Sequence, residues 1–100
     1  MNSTDSLHDS FLQSFTILRG KKKDSFDIEA VFYHKYRDKT VTLIYRDVKS
    51  FSSSLDFDHY VPFGDYVYGE FLYENGWYYH NFVLFFDSEI NILCKRIVVK

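Results

Sequence analysis

Apolar and polar residues alternate along most of this chain with a period of two, the signature of half-buried strands. The pattern is clearest in FDIEAVFYH (26–34). There Phe26, Ile28, Ala30 and Phe32 fall on one side, and Asp27 and Glu29 on the other. TVTLIYRDV (40–48) repeats it with Val41, Leu43 and Tyr45, and FLQSFTIL (11–18) reads as an earlier strand. RGKKKDS (19–25) is a hairpin connection with a basic tip, and YRDK (36–39) is a turn. FSSSLDF (51–57) sets Phe51, Ser53, Leu55 and Phe57 against serines and an aspartate, as an edge or solvent-facing strand would. DHYVPFGD (58–65) holds Pro62 and Gly64, which break ladders, and reads as a loop.

The last third is the most regular. YVYGEFLYE (66–74) and WYYHNFVLFF (77–86) flank Asn75-Gly76. Asn-Gly between two apolar runs predicts a two-residue hairpin, because both central residues of a type I′ turn need positive φ. INILCKRIVV (90–99) follows a second tight turn at Asp87-Ser88, which completes a three-strand C-terminal meander. Counting from Asn75-Gly76 pairs Glu74 with Trp77, Tyr73 with Tyr78, Leu72 with Tyr79, Phe71 with His80 and Glu70 with Asn81. Counting from Asp87-Ser88 pairs Phe85 with Ile90, Val83 with Ile92, Asn81 with Cys94 and Tyr79 with Arg96. In that register neither face of the meander is polar. One face holds Trp77, Tyr79, Val83, Phe85, Ile90 and Ile92; the other holds Tyr78, Phe82, Leu84, Phe86 and Leu93. Three covers are open for the second face: the sheet's own curl, a second copy of the chain, or a different protein.

The expected fold is therefore all-β. One domain spans residues 1–100, with 1–7 frayed, as a small antiparallel sandwich or a curled, barrel-like sheet of six to seven strands. An α+β fold is the alternative, although no helical stripe is visible. Composition agrees: aromatics make up 21% of the chain, and Ala30 is its only alanine.

The formal charge of −2 gives little support to phosphate neutralisation, so no nucleic-acid partner is expected. Exposed aromatics can stack bases, but the basic surround that accompanies them is not visible in the sequence. The single cysteine, Cys94, excludes an intrachain disulfide and a Cys-cluster zinc site. The opening MNSTDSLHDSF lacks the charged-then-apolar run of a signal peptide, and no stretch approaches the roughly 20 apolar residues of a membrane span. A cytoplasmic protein without membrane contact is the expectation.

Candidate chemistry is sparse. His8-Asp9 could bind metal or move protons, but the plainer reading is that Asp9 or Ser10 caps a local turn before the first strand. His80, mid-strand among aromatics, reads as a packed, hydrogen-bonded ring. No HxH or HExxH spacing exists, and Asp56, Asp58 and His59 of DFDH lack the rest of a calcium loop. Lys21–Lys23 form a charged hairpin tip that could grip an acidic partner. There is no nucleophile elbow and no Gly-rich phosphate loop. The expectation is of no catalytic residues, no metal and no cofactor.

LHDSFLQSFTI, VTLIYRDV and YYHNFVLFF with DSEINILCKRIVV together resemble a group of short bacterial proteins. These include immunity-type proteins of polymorphic toxin systems and uncharacterised relatives, and they open on a Leu-His-Asp-Ser-like motif. The positions that carry the likeness are His8, Asp9, Asp47 and His80, whose role it does not specify. The resemblance implies a cytosolic all-β protein that binds another protein, of toxin or effector type. Tyr73, Glu74, Trp77, Tyr78, Tyr79 and Lys95, around the Asn-Gly hairpin, are the anticipated contact residues, since Tyr and Trp bury much area while keeping a polar tip. The second function class is a small-molecule binder, with nucleotide or metabolite held in an aromatic-lined curl.

Overall fold

The computed structural model describes residues 7, 9–54, 65–84 and 88–100. Six strands form: β1 (Ser10–Arg19), β2 (Phe26–His34), β3 (Lys39–Ser53), β4 (Tyr66–Glu74), β5 (Trp77–Leu84) and β6 (Ser88–Val99). They make one antiparallel sheet in the order β1-β2-β3-β6-β5-β4. Each half is a three-strand meander, and the halves join through their last strands, β3 and β6. Of the expected architectures, the curled single sheet is the one that forms. No α-helix occurs among the described residues.

The sheet bends until its inner faces oppose each other. Its edge strands meet at the isolated bridge between Phe11 and Asp65, where Lys35 Nζ donates to Asp65 at 2.6 Å, but the sheet does not close into a barrel. Inside the bend, Phe32 of β2 meets Tyr66 of β4 edge-on at 5.8 Å and Phe82 of β5 at 5.7 Å. Leu12, Ile28, Leu43, Ile90 and Ile92 complete this core. Each such fully buried side chain contributes about 1.5–3 kcal/mol. Leu7, at the boundary of the segment expected to fray, is fully buried in the same cluster.

The Asn75-Gly76 hairpin forms as its sequence requires. Both residues have positive φ, 54° and 81°, and all five expected pairs from Glu74–Trp77 to Glu70–Asn81 occur. The next register differs from expectation. Leu84 pairs with Ser88, so three residues separate the strands instead of two, and Asn81 pairs with Asn91 and Tyr79 with Leu93. The odd offset turns β6 over. Ile90, Ile92 and Cys94 face inward beside Phe82 and His80, while Asn91 and Leu93 face outward beside Asn81 and Tyr79. The conflict of two apolar faces disappears with that rotation. Phe85 and Phe86 lie outside the described residues.

Irregularities adjust the other strands. A bulge between Tyr66 and Tyr68 turns Tyr66 into the core while Tyr68 stays outside. The segments 40–48 and 51–57 do not form separate strands. Residues up to Ser53 continue β3, bulged between Val48 and Ser50 and paired to β6, so this stretch is central in the sheet and not an edge. Leu55 and Phe57 lie outside the described residues.

Gly69 is required by close approach. A Cβ there would lie 1.9 Å from the Tyr66 hydroxyl oxygen and 3.0 Å from the Asn81 carbonyl oxygen. The Tyr66 hydroxyl is buried and has no hydrogen-bond partner among the described residues, so Phe would lose no hydrogen bond seen there. Gly69→Ala should destabilise the domain by about 1–3 kcal/mol in urea melts, and by less when Tyr66→Phe is present. Equal costs in both backgrounds would show that the tyrosine is not the obstacle.

Candidate binding surface

Trp77 opens β5 on the outer face, one residue after the turn glycine. Two ammonium groups lie over its ring, Lys95 Nζ at 4.3 Å and Lys49 Nζ at 4.9 Å from the centroid. The β3 bulge presents Lys49 there. Each cation–π contact at an exposed site is worth about 0.5–1 kcal/mol, and the pair holds the indole in place. Leu72, Glu74, Asn75, Tyr79 and Leu93 complete a cleft of about 380 Å³ around the ring. Leu72 and Tyr68 on the adjoining strand are 51% and 56% exposed, which makes this a large apolar area in contact with solvent.

Beyond the cleft the outer face becomes polar. The Tyr79 hydroxyl donates to Asn91 Oδ1 at 2.7 Å, Asn81 Nδ2 donates to Glu89 Oε1 at 3.0 Å and to Asn91 Oδ1, and Asn91 Nδ2 donates to Ser52 Oγ at 3.3 Å. This ladder crosses three strands and fixes the tip of Tyr79.

Four of the six anticipated contact residues, Glu74, Trp77, Tyr79 and Lys95, gather at this surface. Tyr73 and Tyr78 do not. Paired across β4 and β5, they point to the inner side, with ring centroids 4.6 Å apart. With Phe71, Leu72 and Ile97 they line a second cleft of about 190 Å³. Strand alternation makes this division unavoidable.

A charged recess adjoins the aromatic area along β3 and β6. Asp27 is buried and accepts hydrogen bonds from Arg46 Nη1 at 2.8 Å and from the backbone N–H of Asp47 at 3.0 Å. The second bond holds Asp47 at a φ of 54°, in the left-handed region. Arg46 stands directly opposite Arg96 across the ladder. Lys22 Nζ lies 3.8 Å from Asp47 Oδ2. Lys21, Lys22, Arg46 and Arg96, with the two aspartates, line a recess of about 90 Å³.

The residues of the Leu-His-Asp-Ser resemblance do not share a site. His8 lies outside the described residues. The Asp9 carbonyl accepts the Lys35 backbone N–H, Asp47 is tied to Asp27, and His80 is in the core. The His80 ring stacks on Phe71 at 3.8 Å, and its Nδ1 shares a 2.6 Å hydrogen bond with the Tyr45 hydroxyl. Its Nε2 is buried and has no hydrogen-bond partner among the described residues. Burial pushes its pKa down to about 3, so the ring is neutral at physiological pH. Burial also pushes the Cys94 thiol up to about 12, which leaves it a poor nucleophile. Among the described residues no group of three or more His, Cys, Asp or Glu could hold a metal ion. Asp56, Asp58 and His59 lie outside them.

Compared with known protein families, characterised proteins and solved structures, the chain matches none. No helix among the described residues is long and apolar enough to cross a membrane.

The sequence did not reveal Lys49 or the Arg46–Arg96 pair as parts of this surface. Both depend on the β3–β6 register, which joins segments far apart in the chain. The available signal was local: LIYRDVK and CKR each put cations beside apolar runs.

His80 makes stability depend on pH. Its folded pKa lies below the ordinary 6.5, so the unfolded chain takes up a proton that the native ring refuses. This stability is intact above pH 6.5 and is lost as pH falls toward about 3, at about 1.4 kcal/mol per pH unit through the middle of that window. In urea melts from pH 7 to 4, His80→Gln should show a shallower fall than the parent protein. Parallel curves would place the pH sensitivity elsewhere.

Proposed function

We propose that this chain is a protein-binding inhibitor of immunity type, which blocks the surface of another protein in the cytoplasm. The observation that carries the reading is Trp77: a large ring, half-buried, braced by two lysines and bordered by exposed Leu72 and Tyr68. Binding hot spots are built this way, from a rigid aromatic anchor with a polar rim. The likeness of LHDSFLQSFTI and the later segments to immunity-type proteins supports the same reading, with a toxin or effector as the partner. The reading needs no catalytic group and no cofactor, and the candidate surface requires no second copy of the chain.

A small-molecule reading draws on the inner cleft of Phe71, Tyr73, Tyr78 and Ile97. At about 190 Å³ it falls below the usual ligand-site range of roughly 300–1,000 Å³. The Trp77 cleft, at about 380 Å³, is within that range, but the exposed Leu72 and Tyr68 that extend its apolar area favour a protein partner.

The test is capture from cytosol by the immobilised domain, with mass spectrometry of what is retained by the parent protein and by Trp77→Ala. A single stoichiometric partner should be held by the parent, with affinity reduced about 30-fold or more in the variant. The melting temperature should fall by only a few degrees. Unfolding of Trp77→Ala would make the residue part of the core and remove the surface.

A further inference from the structure

We propose that the segment docking on this surface is acidic, with its carboxylates seated against Arg96, Lys21 and Lys22 while its apolar part covers Trp77. The inference rests on the protein-binding reading and adds the chemistry of the partner.

Charge distribution is the first argument. The chain carries a net −2, yet Lys21, Lys22, Arg46, Lys49, Lys95 and Arg96 are half of its 12 Lys and Arg residues. They converge on the recess and on the neighbouring indole. Asp27 and Asp47 are the two carboxylates lining that recess, and both are already engaged, with Arg46 and Lys22.

The second argument is the Arg46–Arg96 pair. Like charges directly opposite on a ladder destabilise it, and a neutral residue at either position would remove the cost. Asp27 neutralises Arg46; Arg96 is exposed and has no ion-pair partner among the described residues. An arginine placed this way offers a planar fork of donors suited to a carboxylate.

Size is the third. A recess of about 90 Å³ is large enough to admit a carboxylate group. A nucleic acid would present phosphates too, and the cations around Trp77 supply the local basic surround that the whole-chain charge conceals. However, a phosphate backbone needs a continuous positive track. Glu70, Glu74 and Glu89 lie on the same outer face and interrupt it. A short acidic segment seats its carboxylates in the recess, which none of the three lines, and meets Glu74 only with its apolar part over the Trp77 cleft.

Trp77 is the only tryptophan, so its emission reports this surface directly. The domain would be titrated with a Glu/Asp-rich dodecapeptide carrying a central leucine, with its Lys-substituted counterpart, and with a thymidine dodecamer. The acidic peptide should bind tightest, weaken with salt, and lose about 10-fold or more in affinity with Arg96→Glu and with Lys22→Glu. Lys22 is 79% exposed, so losing its 3.8 Å pair with Asp47 should lower the melting temperature by at most a few degrees, and Arg96→Glu, which puts a carboxylate opposite Arg46, should not lower it. No binding of the acidic peptide, equal binding of the basic one, tighter binding of the oligonucleotide, or indifference to both substitutions would overturn the inference. The captured partner separates the two ideas. Its loss with Trp77→Ala but retention by both charge reversals would leave protein binding standing without an acidic partner. Retention by all three variants would end the protein-binding surface itself.

Discussion

The contact of Phe32 with Tyr66 and Phe82 is the one that a one-sheet domain of this size must make. A single sheet has no second layer to cover its apolar face, and leaving that face wet would forfeit most of the hydrophobic stabilisation available to the chain. The sheet instead bends until β2 meets β4 and β5 across the interior. Everything else follows from that bend. It determines which residues of each strand are inside, and it forces the bulges that let strands turn sharply. It also decides that the outer side of β4–β6, with Trp77, is left as a broad face toward solvent.

How far this could be read from the chain depends on whether the controlling feature was local. Asn75-Gly76 is a local signal with one good solution, and it gave both the turn and five correct pairs. The connection after Leu84 has no such signal. Asp87-Ser88 looked like a two-residue turn, and one extra residue was enough to invert β6. Bulges at Val67 and Lys49 were equally silent, because neither position carries the glycine or proline that usually marks one. These are small shifts along the chain, yet each moves side chains from one face to the other.

The same division applies to the candidate surface. Glu74, Trp77 and Tyr79 were legible because they cluster in sequence around a recognisable hairpin. Tyr73 and Tyr78 were grouped with them for the same reason, but nearness in sequence does not place neighbours on one side of a strand. Lys49, Arg46 and Arg96 reach the surface through non-local pairing, which a single sequence does not display. Net charge was misleading in a related way: a value near zero for the whole chain hides a concentration of cations on one part of it.

The strand order has a further consequence, for how the chain reaches this state. Within each meander, pairing joins near neighbours and loop closure is inexpensive. The β3–β6 ladder instead joins residues from Ser53–Ile90 to Leu43–Val99, separations of 37 to 56 positions. That seam carries the largest loop-closure cost of the five ladders, and contact order alone makes it the expected slow step of folding. Arg46 sits on the seam already paired with Asp27 of its own meander, so of the two facing arginines Arg96 alone brings an uncompensated charge to that step.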